Sequence, residues 1–328
     1  MPFTLSACDP QMKSFSHTLV GRNICFVLVW ALSLVIFHVP LSQLLYLSSH
    51  DEKYSHLLLI PLISAGLVYF ERGRIFLQVK YCLAVAAPGL LAGVTLHYFA
   101  ERGALAAGAH AGLSFDVIAI IMIWAAGFVL CYGVQPLCAA AFQFLFLLLM
   151  IPIPATLLEN LAVVLQKGSA EIAYVMFKLV GMPVFRQGFK FALPGVNIQI
   201  AEECSGLRSC VALLITSMLA GRLFLLSNWN RIYLCVLAVP IAIFKNAVRI
   251  VTISWLGINM NPAFLYGNLH RYGGVLFSLL GLAVLVPVLF AFQRAEMRRD
   301  RQDLKSGPAV PSEAMPVLCV QAGRQSQF

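Results

Sequence analysis

The chain has 328 residues, of which 60% are hydrophobic and only 11% charged, and its formal net charge is +9. A soluble domain of this size is about half apolar, and the mean hydropathy of +0.84 excludes one; the composition is that of a polytopic membrane protein. The basic residues are scattered in short clusters between apolar segments, which argues against a nucleic-acid surface and makes them markers of membrane topology.

The first apolar stretch, 24–47, follows Lys13 and Arg22. It is too long for a signal peptide and has no small-x-small cleavage site, so it reads as an uncleaved first span. A span needs about 20 mostly apolar residues, and further candidates follow at 54–70, 82–100, 114–134, 136–158, 206–226, 232–258 and 273–292. The fold expected is therefore an all-α membrane protein of about eight transmembrane helices. Residues 1–23 form an amino-terminal cytoplasmic segment, 24–293 the membrane domain, and 294–328 a basic tail whose composition predicts disorder.

Lys13, Arg22, Arg72, Arg74, Lys80, Arg222, Arg231 and the tail cluster from Arg294 to Lys305 fall on one side if the spans alternate, against mainly Lys53, Arg102 and Arg271 on the other. The side rich in Lys and Arg is the cytoplasmic one, so both termini are expected there.

Between the fifth span and 206–226 the pattern changes. Residues 161–180 carry Gln166, Lys167, Glu171 and Lys178 among apolar neighbours, which favours an amphipathic helix at the outer surface over a ninth span. Residues 189–193 and 196–200 then alternate apolar and polar around Pro194-Gly195, the pattern of a β-hairpin with a type II turn outside the membrane. Such a hairpin either covers the site below it or pairs with an extended substrate strand.

Six of the nine cysteines (Cys25, Cys82, Cys131, Cys138, Cys210 and Cys235) lie inside apolar runs and read as small buried hydrophobes. With no C-x-x-C pair and no His/Cys ligand spacing, no metal and no cofactor are expected. Cys204 is different, because it stands where a span begins. Arg249 lies inside the apolar run 232–258, and an intramembrane charge marks a functional site by default. Counting spans back from the basic tail places Cys204, Arg249 and His270 near one outer interface. A thiolate that attacks a carbonyl, an imidazole that moves protons and a guanidinium that holds an oxyanion form an acyl-transfer set. The start of a helix lowers a thiol pKa, while Glu202 and Glu203 oppose that. Lys245, one turn before Arg249, instead allows an anion site.

The segments AEECSGLRS (201–209), IAIFKNAVRI (241–250) and HRYGGVLFS (270–278) resemble, in order and spacing, the motif blocks of the exosortases, membrane-embedded cysteine peptidases or transpeptidases with archaeal relatives. DEKYSHLLLIPL (51–62) and LLLMIPIPATLLENL (147–161) resemble two further blocks, with Leu57 in place of the usual glycine after His56. The likeness runs over about 24–292. It implies Cys204 as nucleophile, Arg249 as the arginine of the triad and His270 as acid/base. It also implies, as partners, secreted proteins with a carboxy-terminal Pro-Glu-Pro-like motif, a membrane span and a basic tail, cut at the outer face of a bacterial inner membrane.

Secondary candidates are Arg208, one turn from Cys204, which either polarises the carbonyl or pairs with Glu202 or Glu203; Asn246, which either orients Arg249 or makes a helix contact; Ser205, next in line as nucleophile; and Glu203, His56 and Asp51. Two alternatives remain open from the residues themselves: an anion transporter or channel using Arg208, Lys245 and Arg249, and a thiol-dependent membrane acyltransferase.

Overall fold

The computed structural model describes residues 19–306 apart from positions 78, 108, 201–205 and 262–267. It is an all-α polytopic membrane protein with one small sheet. Among the described residues, five helices are long and apolar enough to cross a membrane, at Leu83–Arg102, Gly112–Tyr132, Leu207–Phe224, Asn228–Asn259 and Leu276–Arg299. Two bent pairs raise the number to seven, and Leu59–Phe70 is a shorter apolar helix. All eight expected segments thus have a helical counterpart, but not every one is a straight span.

Proline decides where the spans break. Helices α1 (Leu19–Ile36) and α2 (His38–His50) meet at 77°. Pro40 lies in the first turn of α2, where its missing N–H costs no intrahelical bond. The 3-10 turn Glu52–Tyr54 leads to α3 (Leu59–Phe70) and the short α4 (Arg72–Ile75). Helices α5 (Leu83–Ala107) and α6 (Ala109–Tyr132) pack along each other and are tied by His97, whose ring N–H donates to Asp116 at 2.7 Å. Next come α7 (Val134–Ala139) and α8 (Ala141–Leu147), the latter extended by a 3-10 turn to Met150. Pro152 and Pro154 stop that run, and the next helix, α9 (Ala155–Leu179), leaves it at 93°.

Helix α9 begins six residues before the stretch expected at 161–180, because Pro154 caps it. Its buried residues Leu158, Ala162, Leu165, Gln166, Ser169, Ala170, Ala173 and Phe177 recur at helical spacing on one face. Lys167, Glu171 and Lys178 lie on the other, exposed.

The expected hairpin is one strand short of the real sheet. Strands β1 (Phe185–Gln187), β2 (Lys190–Leu193) and β3 (Val196–Gln199) form an antiparallel meander in the order β1-β2-β3. Leu193 pairs with Val196, so Pro194-Gly195 is a two-residue turn, with Gly195 at φ +77°. The sheet's buried residues Phe191 and Leu193, followed by Ile200, pack with Ala170, Ala173 and Phe177 of α9 and with Ala247 and Val251. The last two belong to α11 (Asn228–Asn259), which follows α10 (Leu207–Phe224) and precedes α12 (Asn268–Ser306). Helix α12 extends well into the basic stretch expected to be a disordered tail; the expected segment 1–23 is described only from residue 19, and 307–328 lie outside the described residues.

At the far end of the bundle the charges are matched. Arg222 of α10 donates through Nε to Glu71 at 3.0 Å. Glu296 of α12 accepts the backbone N–H groups of Leu226 and Ser227 at 2.8 and 2.9 Å and the side-chain amide of Asn230 at 2.7 Å, so a carboxylate from one helix caps the amino terminus of another. The six cysteines expected to be buried divide: Cys82, Cys131 and Cys210 are buried, Cys25 and Cys235 half-buried, and Cys138 exposed. An apolar surface facing lipid keeps a thiol there without burial inside the protein.

Candidate active site at the sheet end of the bundle

The site is built where α10 starts. Gly206 precedes α10 with φ +80°, a left-handed conformation that glycine adopts at little cost. A Cβ there would also stand 3.0 Å from Cγ of Asn246. The chain immediately before α10 is thereby pressed against the middle of α11. Asn246 is 2% exposed and its amide donates to Ser169 Oγ of α9 at 3.1 Å. Ser169 in turn donates to the Ile243 carbonyl at 3.5 Å. The helix-contact role expected as one alternative for Asn246 is thus present.

Arg249 follows Asn246 by three residues, close to one turn. It is half-buried and falls between Ala247 and Val251, the two α11 residues on which the sheet and α9 rest. This bears on the expectation that Arg249 lies near the end of its span. Helix α11 has 32 residues, about 48 Å at 1.5 Å each, against a hydrocarbon core of about 30 Å. The thirteen residues after Asn246, from Ala247 to Asn259, run on past the level at which α10 begins, roughly 20 Å of helix. Arg249 belongs to that overhang and is half-buried there.

Lys245 is more deeply enclosed, at 4% exposure. Its Cδ would touch a Cβ built on Gly281 of α12 at 3.4 Å, so it sits where α11 meets α12. Arg208 is exposed on α10, which leaves Arg249 the better enclosed of the two arginines singled out from the sequence. Cys204, Ser205, Glu203 and Glu202 lie outside the described residues. His270 is in the first turn of α12, and its side chain is outside the described set.

The upstream segments are brought to the same end. The turn Glu52–Tyr54 packs against α10. Tyr54 donates its hydroxyl to the Ile153 carbonyl at 2.8 Å, and Ser114 donates to the Pro152 carbonyl at 2.9 Å. Two motif blocks about 90 residues apart are thereby joined through backbone carbonyls. Asp51 accepts the Lys53 N–H at 2.9 Å and shapes the turn. Burial lowers the pKa of His56, against the opposing effect of a hydrogen bond to the Lys53 carbonyl, so the ring is neutral near pH 7.

Sequence reasoning missed Gln166 and Ser169. Gln166 is counted above among the polar residues of a surface helix, yet it is buried, and its amide donates to the Ile200 carbonyl where β3 ends. The available signal was position: 166 and 169 share the apolar stripe with Ala162, Ala170 and Ala173, away from Lys167 and Glu171.

The transmembrane exosortase family model matches residues 47–287. The chain belongs to the transmembrane exosortase family. The match takes in the Tyr54 turn, the Pro152–Pro154 break, α9, the sheet and the starts of α10 and α12. No curated protein and no solved structure matches this exosortase-family chain.

Proposed function

We infer that the protein is a membrane-embedded cysteine peptidase or transpeptidase that processes carboxy-terminal sorting signals of secreted proteins, with Cys204 as nucleophile, Arg249 as oxyanion holder and His270 as acid/base. The observation that carries this reading is the contact of Gly206 with Asn246. Cys204 is two residues before Gly206, so its Cα lies within about 7 Å of that glycine whatever the path between them. Arg249 is about 4.5 Å along α11 from Asn246. The thiol and the guanidinium therefore come from chain positions separated by little more than side-chain lengths.

His270 is set higher. It precedes Gly281 by eleven residues, roughly 16 Å of rise, while Arg249 follows Lys245 by four, about 6 Å; with Gly281 against Lys245, the two backbones differ by about 10 Å along the bundle. A substrate bond placed between them can meet guanidinium on one side and imidazole on the other.

The chemistry follows from those roles. The Cys204 thiolate attacks the scissile carbonyl carbon, and the negative charge that develops on its oxygen is held by Arg249. The C–N bond then breaks as His270 protonates the leaving amine. The resulting thioester is resolved by water or by an amine acceptor. The amino terminus of α10 favours the thiolate. The bias of Lys and Arg puts the Glu71–Arg222 end in the cytoplasm and the sheet end outside, level with the point where a membrane-anchored substrate emerges.

The test is processing of a co-expressed tagged substrate with correct membrane insertion verified. Cys204→Ala, Arg249→Gln and His270→Ala should each reduce cleavage by on the order of a thousandfold or more. Undiminished cleavage by Cys204→Ala removes the nucleophile. One observation favours a second reading, anion transport: Lys245 is enclosed one turn from Arg249. That reading expects Cys204→Ala to retain full activity while Arg249→Gln loses it.

A further inference from the structure

The three-stranded sheet ends in a strand with an open side. Among the described residues β3 pairs only with β2. The parity of its hydrogen bonds is fixed by Ile200, whose N–H donates to the Phe189 carbonyl at 3.0 Å, in register with the pairs Phe191–Ile198 and Leu193–Val196. In an antiparallel ladder the residues that exchange bonds alternate with residues whose N–H and C=O point the other way. Val196, Ile198 and Ile200 therefore address β2, and the backbone groups of Asn197 and Gln199 are directed outward. Both residues are exposed.

The lower face of the strand is fixed by contact, since β2 and β3 rest on α9 and on Ala247 and Val251 of α11. Its far end is pinned as well, with the Ile200 carbonyl held by Gln166. Cys204 follows Ile200 by four residues, at most about 14 Å of chain. The edge thus runs over the overhang of α11 that carries Arg249 and points toward the chain that carries the candidate thiol. An unpaired strand edge is a template for another extended chain, and the need of its outward amides and carbonyls for partners selects backbone over any particular side chain.

We propose that an extended stretch of the substrate polypeptide, the part just outside its own membrane anchor, docks on the open edge of β3 as a fourth strand by exchanging hydrogen bonds with Asn197 and Gln199, and that this holds the scissile bond at Cys204. The inference rests on the peptidase reading for what happens to the docked strand, but not for the docking itself. A strand on this edge lies about 4.8 Å from β3, and its two pairs of backbone bonds set register without demanding a sequence. Asn197 and Gln199 are in this sense positioning residues that act through their main chains.

Proline separates the main chain from the side chain. Gln199→Pro and Asn197→Pro each delete one outward N–H while leaving the bonds of Ile198 and Ile200 to β2, a location where an edge strand tolerates proline. The alanine variants Gln199→Ala and Asn197→Ala keep the N–H. The substrate used is a secreted reporter domain fused to a proline-containing motif, an apolar span and a basic tail, co-expressed with the full chain. Each proline variant should process about tenfold more slowly than the alanine variant at the same position. The rate at which Cys204 reacts with a membrane-impermeant maleimide should be unchanged in all four, which shows that the sheet and the start of α10 are intact.

A second readout does not depend on cleavage: a benzophenone side chain at position 197 in a Cys204→Ala background should cross-link to the reporter, and the same group at position 178 should not. Proline variants that process at the parental rate overturn the inference, as does a reporter that cross-links equally from both positions or from neither. A parent that cross-links at 197 but never cuts the reporter retains the docking edge and removes the peptidase reading.

Discussion

The two ends of the helix bundle are held by different chemistry. At the end formed by α4, the α10–α11 turn and the middle of α12, carboxylates are matched: Glu71 with the Arg222 guanidinium, and Glu296 with the N–H groups of Leu226 and Ser227 just before α11. At the sheet end the Arg186–Glu171 pair lies in solvent, and the more enclosed bonds run from side chains of Tyr54, Ser114 and Gln166 to the backbone carbonyls of Ile153, Pro152 and Ile200. Ion pairs fix the spacing of helices, whereas bonds to carbonyls fix the course of irregular chain. The first end therefore carries stability and the second carries shape, which is where a reactive geometry has to be held.

The comparison breaks most visibly if the paired end is cut. Arg222→Ala leaves the Glu71 carboxylate, 15% exposed, without its main partner, and the purified protein in detergent should lose about 3 kcal/mol of stability. Glu71→Ala should cost a similar amount, and the double variant less than the sum. Full additivity in the thermal unfolding of the three variants would mean that the pair does not act as a unit.

At the other end a small change should act on function before stability. Gly206→Ala places a side chain in a left-handed conformation, at about 1–2 kcal/mol, and also drives it into Asn246. Processing should fall by more than the tenfold that such an energy represents, while the far end of the bundle unfolds as before. Loss of stability with processing intact would reverse the assignment of the two ends.

Acid should affect the two ends in sequence. The folded pKa of His56 is lowered by burial, so the unfolded chain binds the proton more readily. Stability from this group is complete above the unfolded value of about 6.5 and is lost as pH falls below it. Glu71 is pushed up by burial but drawn down further by the hydrogen bond and charge of Arg222, leaving its pKa lowered. Its contribution is present above the unfolded value of about 4.3 and is lost as pH falls from there through the folded value. An unfolding titration should show the His56 limb first, and His56→Asn should remove that limb alone.

The smallest effect is expected on the exposed face of α9. Arg186 donates to Glu171 at 3.0 Å, and this pair lowers the Glu171 pKa, but the carboxylate is in solvent. Glu171→Gln should leave unfolding temperature and processing unchanged, because exposed ion pairs are screened.

Much of this architecture was legible in the sequence. Apolar runs of bilayer length, the charges of α9 on one face and the Pro194-Gly195 turn are local patterns, and each repeats at the period of the element it forms. The third strand was not legible, since Phe185-Arg186-Gln187 is too short to show alternation. Nor were the buried roles of Gln166 and Ser169, because a polar residue on a stripe of alanines reads as exposed until its partner is known. The overhang of α11 was hidden for the same reason: Arg249 stands in a run apolar enough for lipid, and only the sheet laid against Ala247 and Val251 shows that protein covers that stretch.

Sequence by itself determined that this chain lives in a membrane and which segments are helical, because hydropathy and periodicity act over neighbouring residues. Only the tertiary structure decided that Gly206 lies against Asn246, that α9 and the sheet pack on the last third of α11, and that β3 is left with an open edge. Those are contacts between segments tens of residues apart, and their energies depend on shape complementarity that no local pattern encodes.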